Sequence, residues 1–179
     1  MEQEKSWIEC VSIEHQMAEI LDTNESTAAY GLTLSREQAR MIAESGKDAL
    51  RQERRVEFGG SISKAIILAF CDSQYMEQDH FAETVIRLQE IFYEFKNEML
   101  DQISDDELLN FMREQFEGVC AGDVDYLEDT VLTVYAQAVR NGYDGFKGTD
   151  GRGEYQQFDE VQRWDPELYR EMLKDLIWK

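Results

Sequence analysis

The chain has 179 residues and a mass of 20.9 kDa, and its 42% apolar and 11% aromatic residues suffice to build a core within one domain. It carries 38 acidic against 18 basic residues, a formal net charge of −20 and a pI near 4.3. So negative a surface repels phosphate backbones and anionic lipid headgroups, which excludes nucleic acid and membranes as partners and leaves basic proteins as the natural ones.

The opening MEQEKSWIEC has no basic region followed by an apolar stretch, and the longest unbroken apolar run, Ala65–Cys71, is seven residues. A secretory signal and a spanning helix both need more than that. Three cysteines, Cys10, Cys71 and Cys120, leave one unpaired in any disulfide scheme, and none lies in a Cys-x-x-Cys pair. A reduced, cytoplasmic protein is the expectation.

With a single proline, Pro166, and apolar residues recurring at threes and fours, the pattern predicts an all-α protein. A first helix is expected over Trp7 to Leu21, with Ile8, Val11, Ile13, Met17 and Ile20 apolar, ending in the polar stretch Asp22 to Thr27. After Tyr30-Gly31-Leu32-Thr33-Leu34, Ser35 and Gln38 have the spacing of a capping box for a helix to Gln52, with Ala39, Ile42, Ala43, Ala49 and Leu50 inward and Gly46 admitting a close neighbour. Arg54 to Gly60 is a connector. Ser61 to Cys71 or Asp72 is apolar nearly all round, as a helix enclosed by others would be.

The longest helix is expected from Asp79 to Ile103, because Phe81, Val85, Leu88, Phe92, Phe95, Met99 and Ile103 form one stripe, broadened by Ala82, Ile86, Tyr93 and Leu100. At 1.5 Å per residue it would span about 37 Å. Ser104-Asp105-Asp106-Glu107 opens another capping box for a helix to Gly118, and a further helix is expected over Asp123 to Arg140, with Gly142 as its left-handed terminator. Residues 142–153 hold five of the eleven glycines, a flexible connector. Asp165 and Pro166 then start a last helix with the apolar face Leu168, Tyr169, Met172, Leu173, Leu176 and Ile177. The expected architecture is a single compact bundle of about six or seven helices. Residues 1–141 form its core, with Ser61–Cys71 and Phe81–Ile103 at the centre, residues 142–164 connect, and residues 165–179 dock on the bundle or on a second copy of the chain, a route to a homo-oligomer.

The phrases YGLTLS at 30–35, RVEFGG at 55–60, AFCDS at 69–73, FYEFKNE at 92–98, ISDDEL at 103–108 and GVCAGDVDYL at 118–127 resemble a family of small bacterial proteins defined only as a domain of unknown function. The resemblance covers roughly residues 28–143. It implies a bacterial cytosolic setting and carries no activity, cofactor or catalytic residue with it.

Candidate sites follow from residue types and spacing. Glu77 and His80 have the Glu-x-x-His spacing of di-iron bundles, but such a centre needs a second copy of the motif, and the other histidine, His15, is preceded at that distance by Ser12. The loop from Asp144 to Glu154 offers no register with acids at positions 1, 3, 5 and 12 and glycine at 6, so it is no EF-hand. No metal and no cofactor is expected. Cys71 with His80 is the nearest approach to a nucleophile and base, yet a thiol closing an apolar helix is ordinarily a small buried hydrophobe, so no catalytic residue is assigned.

The connector is the best small-ligand candidate: Arg54, Arg55, Gly59, Gly60, Ser61 and Lys64 combine cations, a Gly-Gly and free helix-start amides into an anion cradle, although without Walker A spacing. The plain alternative is a glycine hinge capped by Ser61. Charge is unevenly spread, with −5 on residues 1–60, −12 on 61–141 and −3 on 142–179. Glu90, Glu94 and Glu98 form a like-charge ridge at four-residue spacing, followed by Asp101, Asp105 and Asp106, then Glu107, Glu114, Glu117, Asp123, Asp125, Glu128 and Asp129. Such a surface either keeps a protein soluble or meets a basic partner. The expected function is therefore a non-enzymatic interaction module binding a basic protein through Glu90, Glu94, Glu98, Asp101, Asp105 and Asp106, the alternative being a small-anion-binding regulator built on Arg54–Lys64.

Overall fold

In the computed structural model of the chain, which describes residues 2–57 and 60–142 and side chains from residue 12 onward, every regular element is helical. The helices are α1 (Glu2–Asp22), α2 (Asn24–Thr27), α3 (Arg36–Gln52), α4 (Ile62–Phe70), α5 (Phe81–Glu98), α6 (Asp105–Glu117), α7 (Val124–Tyr126) and α8 (Thr133–Arg140). Short 3-10 turns occupy Ala28–Tyr30 and Gln78–His80, and Leu127–Leu132 is a π-helical segment. The protein is all-α; the glycine-rich connector after Gly142 and the helix expected over 165–179 lie outside the described residues. The chain divides into two compact units, with the boundary between Glu94 and Phe95, inside α5.

In the first unit, α1 contacts α3 and α4, burying Met17 and Ile20. The capping box of α3 forms as its spacing predicts: Ser35 Oγ accepts from the Gln38 amide while the Gln38 side chain accepts from the Ser35 amide. Ala39, Ile42, Ala43 and Ala49 are buried and Leu50 is half-buried. The stretch after α1 does not simply end in coil. It makes one more helical turn, and the extended segment Leu32–Leu34 that follows is tied down by side chains. Asn24 accepts from the Leu34 N–H at 2.7 Å and donates to its carbonyl at 2.9 Å; Gln78 does the same for Thr33 at 2.7 and 2.9 Å. Thr27 completes the set, its hydroxyl donating to the Leu32 carbonyl and its carbonyl accepting the Leu32 N–H. Three residues thus have all six backbone polar groups satisfied without a sheet.

α4 is not enclosed on all sides. Ile62, Ile66, Ile67 and Phe70 are buried, but Leu68 is 41% exposed and Lys64 is exposed, so an apolar sequence marks only one packed side here. The α5 stripe is as expected, with Phe81, Val85, Leu88, Phe92, Phe95, Met99 and Ile103 all buried.

The helix itself stops at Glu98, before Ile103, because Leu100 turns left-handed (φ 54°) and closes a Schellman cap. Its N–H bonds to the Asn97 carbonyl, and the Asp101 N–H reaches back to Lys96. At 1.5 Å per residue the 18-residue helix is about 27 Å long. Leu100, expected to broaden the stripe, is instead 67% exposed. A left-handed L-residue is strained by about 1–2 kcal/mol, and glycine gives back part of that gain as chain entropy. Leu100→Gly is therefore expected to stabilise the protein by about 0.5–1 kcal/mol, read as a higher urea midpoint with unchanged slope; a lower midpoint would contradict this account of the turn.

In the second unit α6 begins with the predicted capping box, Ser104 and Glu107 exchanging backbone N–H bonds. The helix expected over Asp123–Arg140 is helical throughout but widens over Leu127–Leu132, where the Thr133 hydroxyl donates to the Glu128 carbonyl five residues back at 3.0 Å. Leu127, Val131 and Leu132 are buried, and Tyr135 stacks on Phe111 with ring centroids 3.8 Å apart. Gly142 is left-handed (φ 88°), as its position predicts.

Candidate functional site

Most of the predicted acidic ridge is engaged within the fold. Glu90 is half-buried, 3.7 Å from Arg87 and within 3.4 Å of the Ser45 hydroxyl. Glu98 pairs with Arg140 at 3.1 Å. Asp101 and Asp105 flank Lys96, whose side chain is 5% exposed: its Nζ donates to the Ile103 carbonyl at 2.6 Å and lies 2.9 Å from Asp105 and 3.6 Å from Asp101. The ammonium thus has one carbonyl and one carboxylate within hydrogen-bond distance and a second carboxylate charge close by, the surroundings a buried lysine requires. Glu94 and Asp106 are exposed.

Between residues 95 and 142 the chain has eleven acids and three bases, Lys96, Arg113 and Arg140. Each base is paired, Arg113 with Glu117 at 2.6 Å. What the described residues of this unit turn outward is therefore mostly negative. Asp106, Asn110 and Glu114 are exposed at four-residue spacing along α6, and Asp125 and Asp129 are exposed around the start of the following helix.

In the connector expected to form an anion cradle, several of the described polar groups bond within the chain. Arg54 is exposed and left-handed (φ 54°), terminating α3 as Leu100 terminates α5: its N–H bonds to Arg51 and the Arg55 N–H to Leu50. Arg55 is half-buried, and Gly59 lies outside the described residues. At the start of α4, Ser61 Oγ takes the Ser63 N–H at 3.2 Å, and Glu57 Oε1 takes the Ile62 N–H at 2.9 Å while also accepting the Tyr93 hydroxyl at 2.7 Å. A carboxylate at the positive end of the helix dipole is already in place, so an incoming anion would meet like charge there. Gly60 and Lys64 are exposed alongside.

Gln78, inside the Glu77–His80 motif, is the Thr33 clamp, and His80 pairs with Glu83 at 3.4 Å, both exposed. Among the described residues no group of three or more His, Cys, Asp or Glu is placed to hold a metal ion, and no helix is long and apolar enough to cross a membrane. Cys71 is buried and its Sγ donates to the Leu68 carbonyl at 3.5 Å. Burial, and then the Asp123 carboxylate, push the Cys120 thiol up from 9.0 to about 12. Because the folded value lies above the unfolded one, the contribution of this thiol to stability is complete below pH 9 and is lost as pH rises towards about 12. Alkylation of Cys120 in the folded protein is expected to be far slower than after denaturation at pH 8; equal rates would refute the buried thiol.

The sequence did not disclose three of these arrangements: the Glu57 carboxylate on α4, the Lys96 anchor and a glutamine at the centre of the first unit. Gln89 is wholly buried; its Nε2 donates to the Ile42 carbonyl of α3 at 2.8 Å and its Oε1 accepts from Ser63 of α4 at 2.7 Å. Gly46 admits it, since a Cβ there would stand 3.1 Å from Oε1. The glycine was legible as a close approach; its polar neighbour, 43 residues on, was not.

The family model for the Family of unknown function (DUF6323) matches residues 19–145. The chain belongs to DUF6323. The DUF6323 stretch starts inside α1, earlier than the phrases from residue 28 onward had indicated, and so includes Asn24 and Thr27, which fix Leu32–Leu34. Glu57, Gln89, Lys96 and all of α6 fall within it as well. No curated protein and no solved structure matches the chain.

Proposed function

We propose that this chain is a non-enzymatic acidic interaction module of the bacterial cytoplasm, which binds a basic protein partner through the outward side of α6 and the start of the helix that follows. The observation carrying this reading is the state of the cations between residues 95 and 142: all three are held by carboxylates of the same unit, so Asp106, Glu114 and Asp129 stand exposed with no ion pair among the described residues. Surplus charge of one sign raises the association rate of an oppositely charged partner and selects against others, without requiring a cavity.

The reading also places the docking acids differently from the spacing of Glu90, Glu94 and Glu98. Acids already neutralised by Arg87, Arg140 or Lys96 have less to offer a partner, because binding must first compete with an internal ion pair. The test is a titration of the full chain with an oligolysine peptide. Binding is expected to weaken steeply as the Debye length shortens from about 30 Å at 0.01 M salt to about 8 Å at 0.15 M. Affinity independent of salt, or no binding at low salt, would overturn the proposal.

A further inference from the structure

We draw no further inference here: the strongest candidate, the solvent-facing apolar stripe of α4 at Ala65, Leu68 and Ala69, carries nothing because nothing in the structure shows what covers it.

Discussion

Replacing Gln89 with alanine is expected to cost about 3 kcal/mol of stability, the largest effect of any single polar substitution in the first unit. The side chain is wholly buried and joins the Ile42 carbonyl to the Ser63 hydroxyl, so its removal opens a void and leaves a buried hydroxyl without its acceptor. Ser63 is itself only 3% exposed, and water does not readily replace the lost partner. The two components can be separated. Gln89→Leu fills the space and leaves only the polar loss, about 1–3 kcal/mol. Adding Ser63→Ala to Gln89→Leu should recover part of it, because two apolar groups of matching shape leave nothing unsatisfied. Urea unfolding of the three variants measures this; a Gln89→Ala change below about 0.5 kcal/mol, the range of an ordinary surface substitution, would remove the network from the account.

The second large effect is at Lys96, where the direction of the substitution matters more than the residue. Neutralising its partners together, Asp101→Asn with Asp105→Asn, leaves the buried ammonium without the charge of either carboxylate, with neutral oxygens as its acceptors, and is expected to cost about 3 kcal/mol. Lys96→Met removes the charge and keeps most of the volume, so only the Ile103 carbonyl loses a partner, at about 1–2 kcal/mol. Both carboxylates are more than half exposed, and they rehydrate when the lysine is gone. The ordering is the test: a methionine variant less stable than the double asparagine variant would mean that the ion cluster is not what holds this turn.

The parts of the fold legible in sequence are those fixed by neighbours within one helical turn. Ser35 with Gln38 and Ser104 with Glu107 are capping boxes in the sequence and in the structure. The α5 stripe is likewise local, and every one of its seven predicted core positions is buried. The structure departs from the sequence pattern where a residue takes a conformation its type disfavours. Leu100 and Arg54 end helices in the left-handed region, where a glycine would announce the stop in the sequence, so α5 ends at Glu98, short of the expected Ile103, and the backbone at Arg54 closes α3.

Contacts distant in sequence were hidden for a different reason. Asn24 and Gln78 act on backbone groups 10 and 45 residues away, and Arg140 reaches Glu98 across 42 residues, so neither hydrophobic period nor spacing records them. The acidic surface depends most on such contacts. Counting charges along the chain shows where acids outnumber bases, but which acids face outward unpaired depends on where Lys96, Arg113 and Arg140 go. The apolar run of α4 misled in the opposite sense, since Leu68 faces solvent although nothing in its neighbours sets it apart from Ile66 or Ile67.

The claim that the unspent acids of the second unit form the docking surface is tested most directly by moving the same charge change between the two units and measuring oligolysine affinity at low salt. Asp106→Asn, Glu114→Gln and Asp129→Asn together should weaken binding about tenfold, since exposed pairs contribute about 0.2–1 kcal/mol each. The control Glu25→Gln, Glu37→Gln and Glu44→Gln alters the net charge equally at exposed positions of the first unit and should leave affinity within about twofold. Equal losses in the two triple variants would mean that overall charge, and no particular surface, governs binding, and an unchanged affinity in the first would contradict the account outright.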